Sequence, residues 1–111
     1  MRMKAQEYDG VVVVDLQGDL RNDLLDILRR TTGGLLAKDK NGVIFDMSHV
    51  GFISSEGLEQ LLSVRDHFYE NNCWMKLACP DDNCAKILEI TRLNTEFDCY
   101  ESVEQAIKSY V

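Results

Sequence analysis

The chain has 111 residues, 45% of them hydrophobic and 28% charged, and a net charge of -7. That length suits one compact domain with a single sizeable core and excludes two, and the ordinary composition excludes a disordered chain. The negative charge repels nucleic-acid phosphates and anionic membrane surfaces, and the longest basic run, Arg29-Arg30, offers no patch to reverse it.

No apolar run approaches the ~20 residues needed to span a bilayer, and Met1-Arg2-Met3-Lys4 lacks the apolar stretch of a signal peptide. The expectation is a cytoplasmic protein with no nucleic-acid partner and no membrane insertion. Cys73, Cys79, Cys84 and Cys99 are then expected to be reduced thiols. Their spacing matches neither Cys-x-x-Cys nor a common zinc pattern. Cys79 and Cys84 with His49 or His67 make a conceivable ligand set, but buried cysteines acting as small apolar residues are the preferred reading. No metal and no cofactor is expected.

Weak alternation over Met3 to Tyr8 predicts an edge strand, and Asp9-Gly10 predicts a tight hairpin turn. Val11-Val12-Val13-Val14-Asp15-Leu16 reads as a strand covered on both faces. After Gly18-Asp19-Leu20, the spacing of Leu24, Leu25, Ile27, Leu28, Leu35 and Leu36 predicts a helix from about Asn22 to Lys38. Gly33-Gly34 weakens it, since each glycine costs about 0.5 to 1 kcal/mol relative to alanine in a helix interior.

Asn41-Gly42 signals a turn into a buried strand over Val43 to Met47. From Ser55 to about Asn71 a helix is expected, with Leu58, Leu61, Leu62, the stem of Arg65, Phe68 and Tyr69 on its core face. Trp74 to Ala78 is the next strand. Pro80-Asp81-Asp82 opens a helix expected to turn Ile87, Leu88, Ile90 and Leu93 inward. A short strand is expected near Phe97. Ser102-Val103-Glu104-Gln105 is a capping box that starts a last helix with Val103, Ala106, Ile107 and Tyr110.

These elements make a single α/β domain over residues 1–111, with a mixed central sheet of about five strands and about four helices. The later strands should be joined by right-handed crossovers. Periodicity does not fix the strand order.

The chemistry concentrates in the loop from the strand at Val43 to the helix at Ser55. A serine before a helix ordinarily caps it by accepting a bond from a first-turn N–H, and its removal costs about 0.5 to 2 kcal/mol. The same free N–H groups and the positive end of the helix dipole favour an anion, so the loop would also suit a phosphate. Glu56 in the first turn is stabilising for that ordinary reason. Neither His49 nor His67 has a serine, cysteine or carboxylate in a catalytic spacing, and no nucleotide-binding or zinc-protease motif occurs. An enzyme is not expected.

The stretch Val43-Ile44-Phe45-Asp46-Met47-Ser48-His49-Val50-Gly51-Phe52-Ile53-Ser54-Ser55-Glu56-Gly57-Leu58 resembles the signature of the STAS domain. That family includes bacterial anti-sigma factor antagonists and the cytoplasmic tails of sulfate transporters. Its pattern is an apolar strand ending in Asp or Asn, an apolar residue, then Phe-x-Asp-Ser-Ser-Gly-Leu. Gly18-Asp19-Leu20 resembles the family's Gly-Glu-Leu, and the order of elements agrees over essentially the whole chain.

The resemblance implies a non-enzymatic regulator that binds a serine kinase/anti-sigma factor in a partner-switching pathway of transcription control, reset by a phosphatase. In the antagonists, the second Ser of Asp-Ser-Ser-Gly is phosphorylated. Without gaps, Ser54 stands at the Asp, Ser55 at the first Ser and Glu56 at the acceptor. Shifting this alignment by one would rotate the helix by about 100° against its core face. A phosphoserine carries about -1.5 to -2 charges and three acceptor oxygens, and Glu56 carries one charge and two oxygens, so it imitates the phosphorylated state only in part.

Three outcomes follow: a permanently phospho-like state, a displaced acceptor at Ser55 or Ser54, or a silent site. The residues implied at the partner surface are Asp19, Arg21, Asp46, Ser54, Ser55, Glu56, Gly57, Leu58 and Leu61. Arg21 follows Leu20 where the antagonists typically have Asp, a charge reversal on that surface. The alternative is a STAS subunit of a lipid-transport or stress-sensing complex acting as an unphosphorylated scaffold. Assembly into a homodimer stays open.

Overall fold

The computed structural model describes residues 2–24, 26–28 and 41–110. Strands β1 (Arg2–Tyr8) and β2 (Val11–Gln17) form the expected hairpin. Asp9 and Gly10 both take positive φ, 51° and 85°, the two left-handed residues of a type I′ turn whose twist matches the strands it joins. Of the helix expected from Asn22 to Lys38, Leu24, Asp26, Ile27 and Leu28 are helical, and residues 29–40, with Gly33-Gly34, Leu35 and Leu36, lie outside the described residues.

Strand β3 (Gly42–His49) leads through a loop to helix α1 (Ser55–Glu70), then β4 (Trp74–Ala78) and helix α2 (Asp82–Ile90). A 3-10 turn (Leu93–Thr95), β5 (Asp98–Tyr100) and helix α3 (Val103–Lys108) complete the chain. The sheet runs β1-β2-β3-β4-β5, with β1 antiparallel to β2 and the other four strands mutually parallel. The expected mixed five-stranded α/β sheet is thus present, with β1 at its edge.

Strand alternation divides the core in two. Val12, Val14 and Leu16 of β2, Val43, Phe45 and Met47 of β3, and Met75 and Leu77 of β4 share the face packed by α1 and α2. The opposite face carries Val11, Ile44 and Ala78 under Ala106 of α3. The four-valine run is covered on both faces because its alternate members feed different cores.

Four expected core positions differ. In α1 the buried stripe is Gly57, Leu61, Val64 and Phe68, while Tyr69 is 40% exposed. Val64 holds the place at three residues past Leu61 that the core requires, and Tyr69, one residue beyond Phe68, turns about 100° away from it. In α2, Cys84 and Leu88 point inward and Ile90 is 79% exposed, since two residues past Leu88 is nearly the opposite helix face. Among the thiols, Cys73 and Cys84 are buried as expected, Cys79 is half-buried and Cys99 is exposed on the short edge strand β5.

Candidate functional site

The site lies beyond the carboxyl ends of β2 and β3, where two loops are laced together. The Gly18 N–H donates to the His49 carbonyl at 3.0 Å, the Leu20 N–H to Phe52 at 2.8 Å, and the Ser54 N–H to the Leu20 carbonyl at 2.9 Å. Leu20 and Ile53 thereby form an isolated parallel bridge, with both side chains buried.

Helix α1 starts hard against this bridge. Ser54 is extended and its Oγ accepts the Gly57 N–H at 3.0 Å, closing the first turn. A Cβ at residue 57 would lie 2.3 Å from the Leu20 carbonyl oxygen, so only glycine permits this approach. The contact fixes the rotation of α1 about its axis. Its consequence is that Ser55 and Glu56 are exposed on the first turn, Leu58 is half-buried, and Gly57 and Leu61 are buried.

The two serines therefore differ. Ser54 is half-buried and committed to the cap, while Ser55 presents a hydroxyl to solvent. Glu56 adds a carboxylate one residue later, where the unpaired N–H groups of the helix start favour negative charge.

Asp19 and Arg21 border the same loops and form an ion pair at 3.3 Å with side chains 48% and 60% exposed, so the pair contributes at most about 1 kcal/mol. The Arg21 guanidinium also lies 5.7 Å from the centre of the Phe52 ring, which is 40% exposed. Phe52 was not among the residues that sequence reasoning placed at the surface. Its one signal in the sequence was a large aromatic between Gly51 and Ile53 in the loop that leads to α1.

Asp46 is placed differently. It lies inside β3, opposite Asp15, and its Oδ1 accepts the Ser48 N–H at 3.0 Å, which is a turn-capping bond. His49 ends β3 with Nδ1 3.4 Å from the Asp15 carboxylate, whereas His67 sits in the last turn of α1. Among the described residues no three His, Cys, Asp or Glu side chains group closely enough to hold a metal ion.

Helix α2 braces the loop from the other side. The Asn83 amide donates to the Gly51 carbonyl at 2.8 Å and the Cys84 thiol to that of Val50 at 3.1 Å. Burial, with the nearby Asp81 carboxylate, pushes the Cys84 thiol up to about 12, and burial alone pushes that of Cys73 up to about 11. Both stay protonated and inert at neutral pH.

The family model for the STAS domain matches residues 2–106. An anti-sigma factor antagonist from Mycobacterium paratuberculosis superposes with a TM-score of 0.82 at 20% identity, over 98% of this chain and 92% of that chain. The Bacillus anti-sigma factor antagonist SpoIIAA, in its unphosphorylated form, superposes at 0.77 with 16% identity, over 97% and 95%. The murine anion transporter Slc26a9 matches at 0.78 and 18% identity over 95% of this chain but 18% of its own. At these identities the likeness is one of fold, and the agreement of that fold with the domain match leads to one assignment: the chain belongs to the STAS domain family.

Proposed function

We propose that this protein is a non-enzymatic regulator of the anti-sigma factor antagonist type, which docks the loops around Leu20 and Ser54 onto a serine kinase that doubles as an anti-sigma factor. The observation that carries the reading is the first turn of α1. Ser55 and Glu56 are its exposed polar groups, and the Leu20–Gly57 contact holds them on a fixed backbone. Asp19, Arg21, Phe52 and the exposed edge of Leu58 surround them. Gly57 and Leu61 serve by holding this surface in place from beneath.

Glu56 stands at the position of the phosphoserine and biases the docking surface toward the phosphorylated, weakly binding state. A phosphate added at Ser55 would bring about -1.5 to -2 further charges beside that carboxylate and weaken docking again. Helices as long and apolar as a membrane span are absent among the described residues, and the docking reading requires none.

The test is incubation with a serine kinase of the anti-sigma factor type from the same organism and ATP, followed by intact-mass measurement and a binding titration. Weak but saturable binding without mass change supports a switch biased by Glu56. Phosphate on Ser55 would replace that reading with a displaced acceptor. Absence of both binding and phosphate would leave the scaffold reading instead. In the same assay Glu56→Ser should gain 80 Da, the mass of one phosphoryl group, on the new hydroxyl and bind more tightly before it does.

A further inference from the structure

Strand β1 is the long open edge of this sheet. Among the described residues its seven members pair with β2 alone, and all but Met3 are exposed. The opposite edge, β5, has three residues and is protected by its shortness. Arg2, Lys4 and Glu7 put charge on this edge, but β1 holds no proline or bulge, and its register with β2 is unbroken from Arg2–Gln17 to Tyr8–Val11.

The hairpin dictates which backbone groups point outward. In a two-residue type I′ hairpin the pair flanking the turn, Tyr8 and Val11, is hydrogen-bonded. Antiparallel ladders alternate bonded and non-bonded pairs, so Arg2, Lys4, Gln6 and Tyr8 bond toward β2. Met3 and Ala5 belong to the non-bonded pairs, and their N–H and C=O groups face away from the sheet.

We propose that this edge pairs with β1 of a second copy, antiparallel about a two-fold axis at Ala5, joining two sheets into one of ten strands. A two-fold axis perpendicular to an antiparallel pair requires some residue to face itself, and Ala5 is the small residue at the centre of β1 with its main chain aimed outward. Charge then selects the orientation. A parallel pairing in register would set Arg2 beside Arg2 and Lys4 beside Lys4, which is repulsive. The antiparallel one sets Lys4 opposite Gln6 and Arg2 opposite Tyr8 of the other copy, and brings Arg2 toward the acidic turn at Asp9.

The same-face side chains extend this match. Lys4, Gln6 and Tyr8 line an open groove of about 750 Å³ with Val13, Asp15 and Val103. The Tyr8 hydroxyl already donates to Gln6 Oε1 at 2.7 Å, which leaves the ring face for the guanidinium of the partner copy. This inference is independent of the proposed function, because β1 lies outside the loops assigned to docking.

The experiment is sedimentation equilibrium of the wild-type chain from micromolar to millimolar concentration, beside two variants. The wild type should move from monomer to dimer mass. Ala5→Pro removes an outward N–H that β2 does not use, so it should keep its circular dichroism and stay monomeric at the highest concentration. Ala5→Cys sets two thiols across the axis with Cα atoms about 5.5 Å apart, inside disulfide range, and should form a covalent dimer under mild oxidation beyond any formed by the wild type. Gln6→Cys sets them about 8 Å apart and should not. A wild type that is monomeric throughout, or an Ala5→Cys variant that crosslinks no more than Gln6→Cys, would overturn the pairing. The cysteine variants decide the matter even if the proline variant fails to fold.

Discussion

The laced loops beside α1 and the β1 edge are both short, polar and solvent-facing, yet they are held by opposite means. In the loops, Leu20 bonds to Phe52 and Ser54 through its main chain, and its carbonyl is the surface against which Gly57 packs. The backbone is thereby fixed at atomic contact while Ser55, Glu56, Arg21 and Phe52 extend from it. Strand β1 is anchored by its ladder to β2 and by one half-buried apolar side chain, Met3. The first region is built to present side chains in a set geometry, and the second to present main chain. Recognition at the loops should therefore be sensitive to single atoms, and recognition at the edge to hydrogen-bonding phase.

The largest effect that separates the two regions is expected from Gly57→Ala. Its new Cβ meets a backbone carbonyl that cannot swing aside, and overpacking of this kind typically costs about 1 to 3 kcal/mol. Urea unfolding reads it, and an unchanged midpoint would mean that the bridge does not hold α1. Next is Ser54→Ala, which removes the cap and should cost about 0.5 to 2 kcal/mol, against a change within about 0.5 kcal/mol for the exposed Ser55→Ala. Equal costs would dissolve the distinction between a capping and a presented serine.

Alkaline pH probes the brace under the loop. The folded state raises the Cys73 and Cys84 thiols above the ordinary thiol value of 9.0, so it favours their neutral forms. Their stabilising effect is complete below pH 9 and is lost as pH climbs through about 11 and about 12. Unfolding midpoints should fall over that window, and the decline should shrink in Cys84→Ala. At pH 8 iodoacetamide should label exposed Cys99 well before either buried thiol. Smallest is Glu56→Gln, expected to cost about 0.3 to 1 kcal/mol at low salt through the helix dipole and less at high salt. A cost that did not respond to salt would point to a specific contact in place of a field effect.

Most of the fold was legible because hydrophobic period and turn chemistry are local properties. Asp9-Gly10, Ser102 to Gln105 and the four-valine run each stand where the residues imply, because φ preference, capping and alternation act within a few residues. Boundaries and faces were less so. Tyr69 and Ile90 carry the right apolarity for a core, and only the sheet beneath α1 and α2 turns them outward while Val64, and Leu88 as expected, face in. For the site, the loop, its two serines and Glu56 were legible from the strand-to-helix pattern. Asp46 was expected near that loop, yet its carboxylate is occupied by the Ser48 N–H in the groove that Lys4 also lines. Phe52 was not singled out, because an aromatic in a loop looks alike whether it packs inward or stacks under Arg21.

By itself the sequence determined an α/β domain with an edge hairpin, a negatively charged surface and a serine-bearing helix start with Glu56 in its first turn. Those properties rest on composition, on alternation and on residues within one turn of each other. Only the tertiary structure decided that Ser54 is spent on the cap while Ser55 is presented, and that Leu20 and Gly57 touch. The Leu20–Gly57 contact joins segments more than thirty residues apart, and the rotation of α1 that it fixes is what turns Ser55 outward; no local pattern encodes either.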